Sequence, residues 1–207
     1  MPALRAASHR FLGYPRPDMA YREYLVTSHA VVRASVPLME AALARAQSTA
    51  HDDPVSARLA RYLPEHILEE VDHDAWILED LKWIGVDRGS VLERPPSHRV
   101  AALVGAQYYW IHHYHPVALL GYMAVLEGFP PSLTSVEQLI ERTGFDRRAF
   151  RTILEHAVID NCHGEDVFRL VDELTLSAPL SSLLGLSSMH TVVAMAAVID
   201  EFIDRCP

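Results

Sequence analysis

The 207-residue sequence predicts an all-α protein, and three observations carry that prediction. Glycine is sparse, at 9 residues. No Asn-Gly or Asp-Gly pair offers a tight hairpin turn, and apolar residues recur at i, i+3, i+4 and i+7 instead of alternating. A first helix is expected from Met19 to Gln47, with Tyr21, Leu25, Val31 and Leu38 among its inward residues and a kink at Pro37. Asp53 can cap and Pro54 can start the next helix, which runs to Ile84, bent or restarted at Pro64, with Gly85 as its stop. After Pro95-Pro96-Ser97 a long helix is expected from His98 to Glu127, bending at Pro116, and Gly128-Phe129-Pro130-Pro131 closes it. Thr134 or Ser135 opens a short helix to Thr143. Asp146 caps a helix from Arg147 to about His163, and Gly164 separates that from Glu165 to Leu174. The last helix, Leu180 to Arg205, is the most apolar and is expected to be heavily buried against the helices carrying His66 and His156.

Composition narrows the function classes. Lys and Arg total 18 against 27 Asp and Glu, a formal net charge of −9, which excludes a basic nucleic-acid-binding surface as the default. Half of the residues are hydrophobic and 22% are charged, which places the chain outside the regime of disorder. At this length one domain over 1–207 is expected. No uninterrupted apolar run approaches the ~18 residues of a membrane span, and the opening segment lacks the pattern of a secretory signal, so a cytoplasmic protein without a membrane partner is expected. Cys162 and Cys206 are too few for a disulfide framework or a thiolate zinc site. Twelve histidines in an acidic chain raise the prospect of metal binding, which then depends on their spacing.

Two segments carry that spacing: His66-Ile-Leu-Glu69-Glu70-Val-Asp-His73 and His156-Ala-Val-Ile-Asp160-Asn-Cys-His163. Both read His-x3-carboxylate-x2-His. On a continuous helix i+4 lies about 40° and i+7 about −20° from i, so each segment would project imidazole, carboxylate and imidazole from one stripe. Carboxylate-x-x-His on two facing helices, with a further Glu from a neighbour, is how helical bundles build di-iron and di-manganese sites. Neutral imidazole suits iron, while carboxylates offset the metal charge and can bridge two ions. The flanking Ile67, Leu68, Ala157, Val158 and Ile159 are apolar, so uncompensated carboxylates among them would be costly. The blander reading of either segment alone, a core histidine beside a solvated acidic face, loses force because the pattern occurs twice. Glu127, closing the apolar run Leu119 to Leu126, is a further candidate inward carboxylate. His112-His113-Tyr114-His115 reads as packing or supporting hydrogen bonds, because adjacent helical residues diverge by about 100°. Tyr108, Tyr109, Trp110, Trp76 and Trp83 read as core aromatics, and His29, His190, Cys162 and Tyr122 as structural.

The segment Tyr62-Leu63-Pro64-Glu65-His66 through Asp74, then Gln107-Tyr108-Tyr109 through His115-Pro116 to Leu126-Glu127-Gly128, then His156-x3-Asp160-x2-His163, resembles the heme-oxygenase-like di-iron oxidases, iron-containing redox enzymes related in fold to thiaminase-like and pyrroloquinoline-quinone-synthase-like proteins. The likeness runs from about Tyr21 to His163. It implies a heme-oxygenase-like bundle of about seven helices, two irons per chain, and ligands at His156, Asp160, His163 and Glu127 with a Glu and a His on the early helix, Glu70 and His73. Some members carry Glu where this chain has His66, so His66, Glu69 and Glu70 remain alternatives for the early position. The resemblance implies an O2-activating oxidase or oxygenase acting on a small amino-acid-like or fatty-acid-like metabolite, with an external electron donor, and, by analogy of fold, a homodimer. Two other functions compete: an iron-handling bundle without organic substrate, and a metal-free thiaminase-like hydrolase, for which neither cysteine makes a convincing nucleophile.

Overall fold

The structure is a computed structural model that describes residues 1–206, excluding the side chains of residues 160–162. Among the described residues it contains α-helices, one 3-10 turn and no strand, as the spacing of apolar residues predicts. The elements are α1 (Pro2–Leu12), α2 (Pro17–Val32), α3 (Ser35–Thr49), α4 (Pro54–Glu70), α5 (His73–Trp83), α6 (Arg88–Glu93), α7 (His98–His113), α8 (Ala118–Leu126), α9 (Leu133–Thr143), a 3-10 turn (Arg147–Phe150), α10 (Arg151–Glu173) and α11 (Ala178–Asp204).

The bundle is of the expected kind, but its long helices divide, two of them away from the expected residue and one at it. The first breaks at Arg33-Ala34 and not at Pro37, which becomes the third residue of α3, where its missing N–H has no intrahelical partner to lose. The second passes through Pro64, which sits on the exposed face, and stops instead at Val71-Asp72, where Asp72 takes a left-handed φ of 70°. The third divides at Tyr114–Val117, around Pro116. In the opposite sense, α10 continues through Gly164 where a separation was expected. The helix α1 and the short α6 have no counterpart in the sequence reading.

Capping follows local chemistry. The Asp53 carboxylate accepts the Val55 and Ser56 N–H groups at 3.1 and 2.9 Å, and Pro54 opens α4. His115, in the α7–α8 connection, accepts the Val117 N–H on Nδ1, so its Nε2 carries the proton and donates to Asp53 at 2.7 Å. Burial opposes the charged form of Asp53, but hydrogen bonds from Ser56, His115 and Val55 outweigh it and bring the carboxyl down from 3.8 to about 2. A depressed folded-state value means that this stabilisation is present above pH ~4 and is lost as pH falls toward 2. Asp53→Ala is expected to cost about 1–2 kcal/mol in denaturant unfolding at neutral pH and to flatten that acid dependence.

Two apolar clusters form the core. One gathers Phe11, Tyr21, Ile77, Phe150 and Phe202, with Tyr21 stacked on Phe150 at 4.1 Å and its hydroxyl donating to the Ala149 carbonyl. The other gathers Leu38, Leu59, Leu103, Ile111, Leu119 and Val198. Burying each such side chain contributes roughly 1.5–3 kcal/mol before entropy is counted. The last helix departs from expectation: α11 packs chiefly on α8, α1, α7 and α2, not on α4 or α10, and Leu186, Met189 and Val193 stay exposed. It is nonetheless the one described helix long and apolar enough to cross a membrane. Trp83 and Tyr109, expected in the core, are also about half exposed.

Candidate metal centre

The break after Glu70 sets the geometry of the site. His66 and Glu70 project from the last turns of α4, while His73 is the first residue of α5, so the early ladder is not one helical stripe but two helix ends meeting across a left-handed Asp72. The turn still brings His73 Nδ1 to 3.3 Å from Glu70 Oε2. From α10, His163 Nδ1 lies 3.5 Å from the other Glu70 oxygen, Oε1. One donor atom each from His66, Glu70 and His163 falls within 4.8 Å of the others.

Two further groups extend this nucleus in opposite directions. Glu127, at the end of α8, places Oε2 3.2 Å from His66 Nε2, and the His66 and His163 rings approach to 5.0 Å. On the other side the His156 ring stands 4.8 Å from that of His73. Six of the seven candidate ligands, His66, Glu70, His73, Glu127, His156 and His163, are therefore together. The seventh, Asp160, has a side chain outside the described residues. Glu69 is nearly half exposed and lies 3.6 Å from His66 and 3.5 Å from His163, at the rim.

The donor set fits a metal. His66 Nε2, His73 Nδ1, His163 Nδ1 and Glu127 Oε2 are all buried without a hydrogen-bond partner among the described residues, although carboxylates stand only 3.2–3.5 Å from the three imidazole nitrogens. Lone pairs that converge without hydrogen-bond alignment are arranged as ligands around a common cation are. His156 carries the supporting contact that such a ligand needs: its Nδ1 lies 2.8 Å from the Thr152 carbonyl, which can only accept, so Nδ1 holds the proton and Nε2 is left as the lone-pair atom. Burial pushes the His156 imidazole below its ordinary value, favouring that neutral form. At Glu70 burial opposes the charge, but the His163 and His73 contacts outweigh it and hold the carboxyl well below the ordinary range. At Glu127 burial prevails over His66 and pushes the carboxyl up.

Three supports escaped the sequence reading. Tyr62, one turn before His66, brings its hydroxyl to 3.2 Å from His66 Nδ1, and that i, i+4 spacing was a usable signal. Trp76, three residues after His73, lies 4.2 Å from its ring and walls the site rather than filling the core. Buried Asp80 of α5 accepts the Thr152 N–H at 2.9 Å, anchoring the start of α10 one turn before His156; its separation of 72 residues leaves no local signature. Asp80→Ala would leave that buried N–H unpaired, and an unfolding free energy lower by about 1–3 kcal/mol is expected in chemical denaturation.

The site has two approaches. On the Glu69 side lies a charged surface pocket of about 260 Å³ bordered by Arg58, Arg61, Glu65, Asp166 and Arg169. On the Glu127 and His156 side lies a cavity of about 210 Å³, where the two core clusters meet, walled by Leu25, Leu38, Ile77 and Met123.

A helical bundle that gathers buried imidazoles and carboxylates close enough to hold a metal ion is, by its fold, of the heme-oxygenase-like class. The sequence profile of the family described as iron-containing redox enzymes matches residues 22–184, and the chain belongs to that family. Among solved structures, a domain of unknown function with a heme oxygenase-like fold from Shewanella denitrificans superposes with a TM-score of 0.80 at 17% identity, covering 96% of this chain and 84% of that one. A TenA homolog from Pseudomonas syringae pv. tomato superposes with a TM-score of 0.70 at 12% identity, covering 98% and 90%. At these identities the likeness establishes the fold. No curated protein matches the sequence.

Proposed function

We propose that residues 1–207 form one domain that works as a non-heme di-iron oxidase or oxygenase, using O2 to oxidise a small metabolite, with His66, Glu70, His73, Glu127, His156, Asp160 and His163 as ligands. The observation that carries this reading is Glu70: its two oxygens face different imidazoles, His73 at 3.3 Å and His163 at 3.5 Å, as a carboxylate bridging two cations would. A bound pair of ferrous ions would supply the electrons that reduce O2, with an external donor restoring them.

The chain's own residues orient and shield that chemistry. Thr152 holds His156 through Nδ1 and thereby presents Nε2 inward. Tyr62 restrains His66 in the same manner, and Trp76 covers His73. The mostly apolar cavity beside Glu127 and His156 offers a substrate space next to the centre. The Cys162 side chain lies outside the described residues, and Cys206 gives a thiaminase-like hydrolysis no support, since it is buried past the end of α11 with Sγ hydrogen-bonded to the Phe202 carbonyl and burial raising its thiol.

Iron analysis and oxygen uptake test the proposal together. Anaerobic loading with ferrous iron is expected to give about two irons per chain, and O2 consumption is expected to depend on added metabolite. Loading with many irons and no metabolite dependence supports the iron-handling alternative. Failure to take up any iron overturns the metal reading.

A further inference from the structure

We infer that the cavity beside the metal centre selects an aliphatic, uncharged portion of the substrate, with the Tyr122 hydroxyl as its hydrogen-bond donor. The inference rests on the metal reading above only in assigning Glu70 and Glu127 to the centre. With those two carboxylates committed, the described residues that line the cavity include no Lys, Arg, Asp or Glu. What remains is mostly hydrocarbon: Leu25, Val31, Leu38, Ile77, Leu119 and Met123. A zwitterionic amino-acid head group placed there would find no counter-ion for either charge and would lose its hydration, whereas an alkyl chain would leave water at a gain.

Besides Glu127, two residues of this wall carry a buried hydroxyl without a hydrogen-bond partner among the described residues, Thr152 at the start of α10 beside Asp80 and Tyr122 in the apolar run of α8. Tyr122 is 3% exposed, and its hydroxyl is buried with no hydrogen-bond partner among the described residues. A buried phenol ordinarily finds one. Burial, together with the nearby Glu127 and Glu70 carboxylates, keeps this phenol protonated, so it offers a donor and not a negative charge. A hydroxyl, carbonyl or ether oxygen on an otherwise aliphatic molecule satisfies it. Sequence reading placed Tyr122 among structural residues because an apolar run gives no hint that its hydroxyl is left open.

Binding to the ferrous-loaded protein under anaerobic conditions, with Glu70 and Glu127 committed and no O2 for turnover, tests this. Titration calorimetry with a homologous series of straight-chain primary alcohols is expected to show affinity rising about fourfold per added methylene until the cavity is full. Norleucine, with a comparable chain and a zwitterionic head, is expected not to bind. Val32→Trp, which narrows the cavity from a half-buried position outside the ligand set, should weaken the alcohols at least tenfold while leaving iron uptake per chain at the wild-type level. Tyr122→Phe should weaken the alcohols by about three- to tenfold and leave 1-chloroalkanes of equal length unaffected, a pattern that general loss of packing would not produce. Norleucine binding as tightly as the matching alcohol, affinity indifferent to chain length, or alcohols unaffected by Val32→Trp overturns the inference. Wild-type protein that binds alcohols but takes up no iron would remove the metal reading and leave the cavity assignment standing.

Discussion

Glu70→Ala is expected to strip the protein of iron while leaving its helices in place. Among the described residues Glu70 is the one carboxylate whose two oxygens face imidazoles from separate helices, His73 of α5 and His163 of α10, and it is 9% exposed. Losing a group that merely supports a metal ligand typically costs 10–100-fold in affinity, so losing the carboxylate proposed to serve both ions should cost more than about a hundredfold. Alanine is the better helix former, which keeps α4 intact by circular dichroism. Glu65→Ala, an exposed acidic change on the same helix, is the control and should retain wild-type iron. Equal iron content in both variants would remove Glu70 from the centre and falsify the bridging assignment.

Gly164→Val is expected to damage the same centre although residue 164 supplies no ligand. A Cβ built on Gly164 would come within 2.9 Å of Gly128 Cα and 3.0 Å of the Glu127 carbonyl oxygen. Both neighbours are backbone, so relief requires α10 and the end of α8 to separate. That movement draws Glu127 away from His66. Overpacking of this kind costs about 1–3 kcal/mol, and iron affinity should fall with it. Gly105→Ala, whose new Cβ meets nothing within 4 Å in the middle of α7, is the contrasting case and should stabilise by about 0.5–1 kcal/mol. Denaturant midpoints and iron per chain, measured on both variants, check the pair. A Gly164→Val protein with unchanged stability and iron content would show that the close approach does not position Glu127.

The same glycine shows why part of the architecture was not legible in the chain. Gly164 reads locally as a helix break, yet α10 runs through it, because the missing side chain is needed for contact with α8 and not for a turn. Pro64 likewise reads as a bend or restart, but it lies on the exposed face of α4, and the chain turns seven residues later. Asp53, Pro54 and Gly85 behave as read, since a cap or a left-handed stop is settled within a few residues.

Helical class and the repeated pairing of imidazole with carboxylate follow from local chain chemistry, because apolar period and side-chain identity are properties of neighbouring residues. Which donors meet is a different matter. His66 and His73 do not share a helix as their spacing suggests. They converge because α4 ends at Glu70, Asp72 accepts a left-handed conformation, and Glu70 then faces His73 on one side and His163 of α10 on the other. The Tyr122 hydroxyl and the Asp80–Thr152 contact depend on residues far apart in the chain, so only the packing of α5, α8 and α10 around one cavity decides them.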